Sequence, residues 1–147
     1  MQHATSLLPA LEDYLEVMLD LQEKEHIIRV TDIAQQLKVA KPTVSQTIAK
    51  LKKLGMVLQE SYGAISLTQE GFAYAGRVQC RHRLLRDFLV DILGVELGVA
   101  EKEACMMEHV LSRETMSKFN AFMVGKGVES VPPYTECVKA LDEEKQN

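Results

Sequence analysis

The feature that most constrains this chain is a change of hydrophobic period at Gly55. Before it, Val44, Ile48, Leu51 and Leu54 recur at spacings of three and four, the mark of one apolar face on a helix. After it, Val57-Leu-Gln-Glu-Ser-Tyr-Gly-Ala-Ile-Ser-Leu-Thr reads as two short strands around a Tyr62-Gly63 turn. Gly55 itself suits the close of the helix, and Pro42 suits its first turn. Upstream, Val30-Thr-Asp-Ile-Ala-Gln-Gln-Leu37 predicts a short helix capped by Thr31 or Asp32, with Ile33, Ala34 and Leu37 inward. Val39-Ala-Lys is then the turn. An earlier helix is predicted from near Pro9 to about Lys24, with Leu11, Leu15, Met18 and Leu19 on one face. Helix, helix, helix, hairpin is the order of a winged helix-turn-helix, here spanning about Arg29 to Thr68.

A helix that reads duplex DNA needs one face that packs and another that offers hydrogen-bonding side chains. Lys41-Pro-Thr-Val-Ser-Gln-Thr-Ile-Ala-Lys meets both needs: Val44 and Ile48 point inward, leaving Thr43, Ser45, Gln46 and Lys50 outward. Gln46 suits bidentate contact with adenine, whereas Lys41, Lys50 and Lys53 suit phosphates, which set register without reading sequence. Tyr62, at the hairpin tip, is placed to touch the backbone. The chain carries a net charge of −4, which argues against a wholly basic coat. Charge is nonetheless unevenly placed. Between Arg29 and Leu54 there are six basic residues against the single acid Asp32, a local excess of +5. That suffices for one DNA-facing surface on an acidic protein. The structural alternative is a solvated face on a three-helix module that binds protein.

Beyond the hairpin a long helix is predicted from about Gln69 to Leu93, broken at Gly94. Two more follow, Glu101 to Leu111 and Arg113 to Met123, before a loop-like stretch from Gly125 through Pro133 and a charged tail. The expected fold is therefore mainly α: residues 1–72 a winged helix-turn-helix, residues 73–147 a helical dimerisation and metal-binding domain. No apolar run approaches the ~18 residues of a spanning helix, and no basic-then-apolar leader opens the chain, so a cytoplasmic protein with no membrane partner is expected. Three cysteines, odd in number and far apart, do not make a disulfide framework. Cys80 and Cys137 read as small buried hydrophobes.

A second constellation lies outside the hairpin. Asp13 and Glu16 stand three apart on one side of the first helix. Cys105-Met-Met-Glu108-His109 sets a thiol, a carboxylate and an imidazole within one turn, and His82 sits in the long helix. Together these are donors for a divalent transition metal. Each alone has a plainer reading: Asp13 and Glu16 as acids favoured near a helix N-terminus, Cys105 as core, Glu108-His109 as surface.

The residues Glu12-Asp-Tyr-Leu-Glu16, Pro42-Thr-Val-Ser-Gln-Thr47, Leu67-Thr-Gln-Glu-Gly71, Arg81-His-Arg-Leu-Leu85 and Glu103-Ala-Cys-Met-Met-Glu-His-Val-Leu-Ser112 resemble, in order and spacing, the diphtheria toxin repressor family. This is a family of metal-dependent transcriptional repressors that includes a manganese-sensing branch, and the resemblance runs from about Leu8 to Met123. It implies metal bound between a winged helix and a helical dimerisation domain, in the two-domain form of the shorter manganese sensors. The ligand set it implies is a hybrid. Asp13 and Glu16 match the manganese branch, His82, Glu108 and His109 match both, and Cys105 matches the iron-sensing branch. Arg86 and Glu101 fall where the iron branch has a second metal site, from which Glu101 retains an oxygen to offer. Carboxylates suit Mn²⁺, and a thiolate favours Fe²⁺, Co²⁺, Ni²⁺ or Zn²⁺. The expectation is a regulator that binds a palindromic DNA operator as a homodimer when Fe²⁺ or Mn²⁺ is bound, with Co²⁺, Ni²⁺ or Zn²⁺ as substitutes. Its rivals are a metal-independent winged-helix regulator sensing a small molecule or thiol oxidation, and a metalloenzyme. The latter has no HExxH run or nucleophile motif in its support.

Overall fold

The computed structural model describes residues 9–126, which divide into two compact units at Gly76 and Arg77. The first 8 residues, the tail and its Cys137 lie outside the described residues, as does most of the expected loop; Gly125 ends a helix.

The N-terminal unit follows the predicted order. Helix α1 (Pro9–Glu23) packs on α2 (Val30–Leu37), and α2 packs on α3 (Lys41–Lys53). A hairpin of β1 (Val57–Gln59) and β2 (Ile65–Leu67) follows, pairing Val57 with Leu67 and Gln59 with Ile65. Leu15, Met18, Leu19, Ile33, Val44, Ile48, Leu51 and Val57 are fully buried and form this unit's core. The cap of α2 falls earlier than expected: Arg29 is the N-cap, and its N–H donates to the Asp32 carboxylate at 3.0 Å. Lys38 ends α2 in the left-handed region at φ 56°, so the turn begins there without a glycine. Leu54 is 47% exposed, although its spacing suggested a core position. Leu54 keeps helical angles as the C-cap of α3, but at ~100° per residue it stands roughly 80° round the helix from Val44, at the edge of the buried face.

The Leu67-Thr-Gln-Glu-Gly71 run acquires a physical role. Thr68 Oγ1 accepts from Gly71 N–H at 3.0 Å and donates to the Gly55 carbonyl at 2.6 Å. It thereby caps α4 (Gln69–Asp87) and ties that helix to the end of α3. Gly71 has no alternative there, because a Cβ would meet the Met56 carbonyl oxygen at 1.9 Å.

The C-terminal unit comprises the rest of α4, then α5 (Leu97–Met107) and α6 (Arg113–Gly125), around Leu84, Leu85, Leu89, Ala100, Ala104, Met116 and Met123. The long helix does run on towards Gly94, but residues Phe88–Ile92 wind as a wider π-helical turn. That turn carries the consecutive apolar residues Phe88, Leu89 and Val90 into or against the core, and Gly94 ends it at φ 74°. Helix α5 starts four residues before the expected Glu101, because Glu96 accepts from the N–H groups of Gly98 and Val99 at 2.9 and 3.1 Å. It also ends sooner, leaving Glu108 as its C-cap.

Candidate metal centre and nucleic-acid interface

In the N-terminal unit, Lys41, Thr43, Ser45, Gln46, Lys50 and Lys53 are all exposed on α3, while Val44, Ile48 and Leu51 anchor the opposite face. One helix thus separates packing from presentation, the division that reading a groove requires. Tyr62 is 70% exposed at the hairpin tip. Arg29, counted in the sequence only as a charge, reaches across to this tip: its guanidinium donates to the Tyr62 carbonyl at 3.4 Å. Ile65 N–H also donates to Ile28 O at 2.9 Å, so the segment before α2 pins the hairpin at two points.

Helix α1 holds a residue the sequence reading passed over. Glu12 is only 3% exposed and accepts from the Tyr74 hydroxyl at 3.2 Å. The signal was present, since Glu12 precedes Leu15 and Leu19 by three and seven residues and so shares their inward face. Asp13 and Glu16 are half-buried on the same helix, and their assignment to a metal rests on the family resemblance.

The C-terminal unit gathers its own candidates. Cys105, Glu108 and His109 each bring a ligand atom within 4.8 Å of the others. His109 Nε2 lies 3.4 Å from Glu108 Oε1, and His82 Nδ1 lies 3.6 Å from Glu108 Oε2. Neither pair makes a hydrogen bond, and the separations are near those of ligands of one ion, since metal bonds of ~2.0–2.2 Å place neighbouring donors roughly 3–3.5 Å apart. Glu108 is 2% exposed, and neither of its buried oxygens has a hydrogen-bond partner. Burial pushes its carboxyl above the ordinary range, against the pull of His82, His109 and Arg81. It also caps the C-terminus of α5, where the helix dipole favours a cation over an anion. A buried carboxylate in that position calls for positive charge, and a divalent ion bound by imidazole, thiolate and carboxylate fits the residues present.

Glu101 is differently engaged. Its Oε2 stands 2.7 Å from His82 Nε2, and its Oε1 accepts from Arg86 Nη1 at 3.3 Å. Burial opposes ionisation of Glu101, but the His82 and Arg86 contacts outweigh it and hold the carboxyl below its ordinary range. Arg86 in turn donates from Nε to Asp87 at 3.0 Å.

Comparison with known proteins agrees with this division. Residues 6–65 match the family model of the iron dependent repressor N-terminal DNA binding domain. Residues 68–125 match the iron dependent repressor metal binding and dimerisation domain. The chain belongs to the iron-dependent repressor family. It is 36% identical over 115 residues to an HTH-type transcriptional regulator of Methanocaldococcus jannaschii, covering 78% of this chain and 92% of that one. It is 34% identical over 137 residues to the diphtheria toxin repressor of Corynebacterium diphtheriae, covering 93% of this chain but 59% of that one. Among solved structures, a manganese-dependent transcriptional repressor in complex with manganese superposes with TM-score 0.71 at 33% identity, over 77% of this chain and 52% of that one. This member of the family therefore spans little more than half the length of some of its relatives. Among its described residues no helix is long and apolar enough to cross a membrane.

Proposed function

We propose that this protein is a metal-responsive transcriptional repressor, binding a palindromic DNA operator as a homodimer when Fe²⁺ or Mn²⁺ is bound. The observation that carries the metal half is Glu108, a buried carboxylate without hydrogen bonds, faced by His82 and His109 and close to Cys105. His82, Cys105, Glu108 and His109 hold the ion from the C-terminal domain, and the resemblance adds Asp13 and Glu16 from the N-terminal domain. The division of labour follows residues 1–72 for DNA and 73–147 for metal and dimerisation. The ion supplies positive charge beside the Glu108 carboxylate, beyond what Arg81 and the histidines offset. Co²⁺, Ni²⁺ and Zn²⁺ follow as substitutes, because donor type orders affinity without excluding neighbouring metals.

For DNA, α3 offers Gln46 to a base edge, Thr43 and Ser45 beside it, and Lys41, Lys50 and Lys53 to phosphates; Tyr62 reaches the backbone from the hairpin. Exposed Leu97, Val99, Met106 and Val110 on and just after α5 supply apolar surface for a second copy. Metal acts by favouring the DNA-competent arrangement of the dimer, which requires a coupling of ~1–3 kcal/mol, or roughly 5–150-fold in affinity. A protein of this kind works in the cytoplasm.

The test is anisotropy with a duplex enriched from a random-sequence pool in the presence of Mn²⁺. Binding by the native protein should weaken at least five-fold when metal is chelated, and Glu108→Ala should bind at the chelated level with or without Mn²⁺. Equal metal dependence in the variant would remove Glu108 from the site.

A further inference from the structure

We infer that Glu101 is a positioning residue of the metal centre: it fixes which nitrogen of His82 is offered to the ion. This rests on the metal reading above. An ionised carboxylate can only accept hydrogen bonds, so the 2.7 Å contact between Glu101 Oε2 and His82 Nε2 requires the proton on Nε2. In a neutral ring that leaves the Nδ1 lone pair as the donor, and Nδ1 is the nitrogen on the Glu108 side, 3.6 Å from Oε2. Without that contact a histidine side chain distributes its proton between both nitrogens and turns about its χ angles. The carboxylate therefore removes two freedoms that metal binding must otherwise remove.

Glu101 is itself held. Its second oxygen accepts from Arg86 Nη1 at 3.3 Å, and Arg86 is braced by Asp87 at 3.0 Å, a residue only 8% exposed. The chain Asp87–Arg86–Glu101–His82 gives each Glu101 oxygen a partner and so holds the carboxylate in place against the His82 ring. Outer partners of metal-bound histidines orient the ring and raise its basicity, and their loss weakens metal binding by ~10–100-fold.

Two measurements on the full chain test this. In metal-free, ¹⁵N-labelled protein, two-bond ¹H–¹⁵N correlations of the ring, assigned with His82→Gln, should show the Nε2–H tautomer. Glu101→Ala should lose that preference, whereas Glu101→Gln should keep it through its amide oxygen. Mn²⁺ affinity by competition with a chromophoric chelator should fall 10–100-fold in Glu101→Ala and by a clearly smaller factor in Glu101→Gln. The Glu101 side chain is 43% exposed, so folding tolerates both changes, and circular dichroism verifies it. An Nδ1–H tautomer in the native protein overturns the inference, as does an affinity unaffected by Glu101→Ala. Equal losses in the Ala and Gln variants also overturn it, by making Glu101 a ligand. Glu108→Ala, run in parallel, separates the two levels: if it binds Mn²⁺ like the native protein, the metal reading itself fails.

Discussion

Replacing Glu108 by glutamine should raise the stability of the metal-free protein and lower that of the metal-loaded one. The two oxygens of Glu108 are buried without hydrogen bonds, and an unsatisfied buried polar group costs ~1–3 kcal/mol, more when charged. His82, His109 and Arg81 offset part of that cost, yet the carboxyl still lies above its ordinary range, so burial is the larger effect. A net gain of roughly 1 kcal/mol for the neutral amide follows, or about 3–5 °C in Tm for a chain of this size. The sign with pH is also set. A raised folded-state pKa means the folded protein holds the proton more tightly than the unfolded one. The stabilisation is full below the usual glutamate range and disappears as pH rises through the raised value. The advantage of Glu108→Gln should therefore grow as pH rises above the usual glutamate range. Metal reverses the order. At 100 times Kd a bound ion adds about 2.7 kcal/mol, which is roughly 8–14 °C, and the variant should gain almost none of it. Differential scanning calorimetry with chelator and with excess Mn²⁺, at three pH values, gives the full comparison. A variant that melts below the native protein in chelator at pH 8 would show that ion pairing outweighs burial and refute the reasoning.

Four further outcomes concern the N-terminal domain. Gly71→Ala would set a Cβ 1.9 Å from the Met56 carbonyl, displacing backbone and straining the Thr68 N–H bond to the same oxygen, so a loss of ~2–4 kcal/mol is expected by urea denaturation. Gly76→Ala, in the same helix with open space at its Cβ, should instead stabilise by about 0.5–1 kcal/mol, and losses alike at both positions would show that packing at Met56 is not the cause. On DNA, Lys50→Ala should weaken binding to all duplexes and reduce the slope of log K against log salt by about one contact. Gln46→Ala should mainly relax sequence preference at one base pair, worth ~1–3 kcal/mol; an unchanged preference in a selection experiment takes Gln46 out of the reading set.

Much of this molecule is written in local pattern. Period and punctuation around Pro42, Gly55 and Gly63 determined the helix-turn-helix and its hairpin, because helix and strand periods are properties of neighbouring residues. The 105, 108, 109 spacing likewise brought thiol, carboxylate and imidazole onto one turn before any fold was known. What local pattern missed depends on distant partners. Glu12 is buried because Tyr74, sixty-two residues later, offers it a hydroxyl. Leu54 is exposed because the rest of the fold does not cover the edge of the α3 face on which it lies. Gly71 is required because Met56 passes over it, and nothing near Gly71 in sequence announces that. The same holds for function. The donor types of a metal centre follow from residue identity, which the sequence carries alone. Their energetic state, above all that Glu108 is buried without hydrogen bonds while Glu101 is occupied by His82 and Arg86, follows from packing between segments far apart in the chain, and only the tertiary structure decides it.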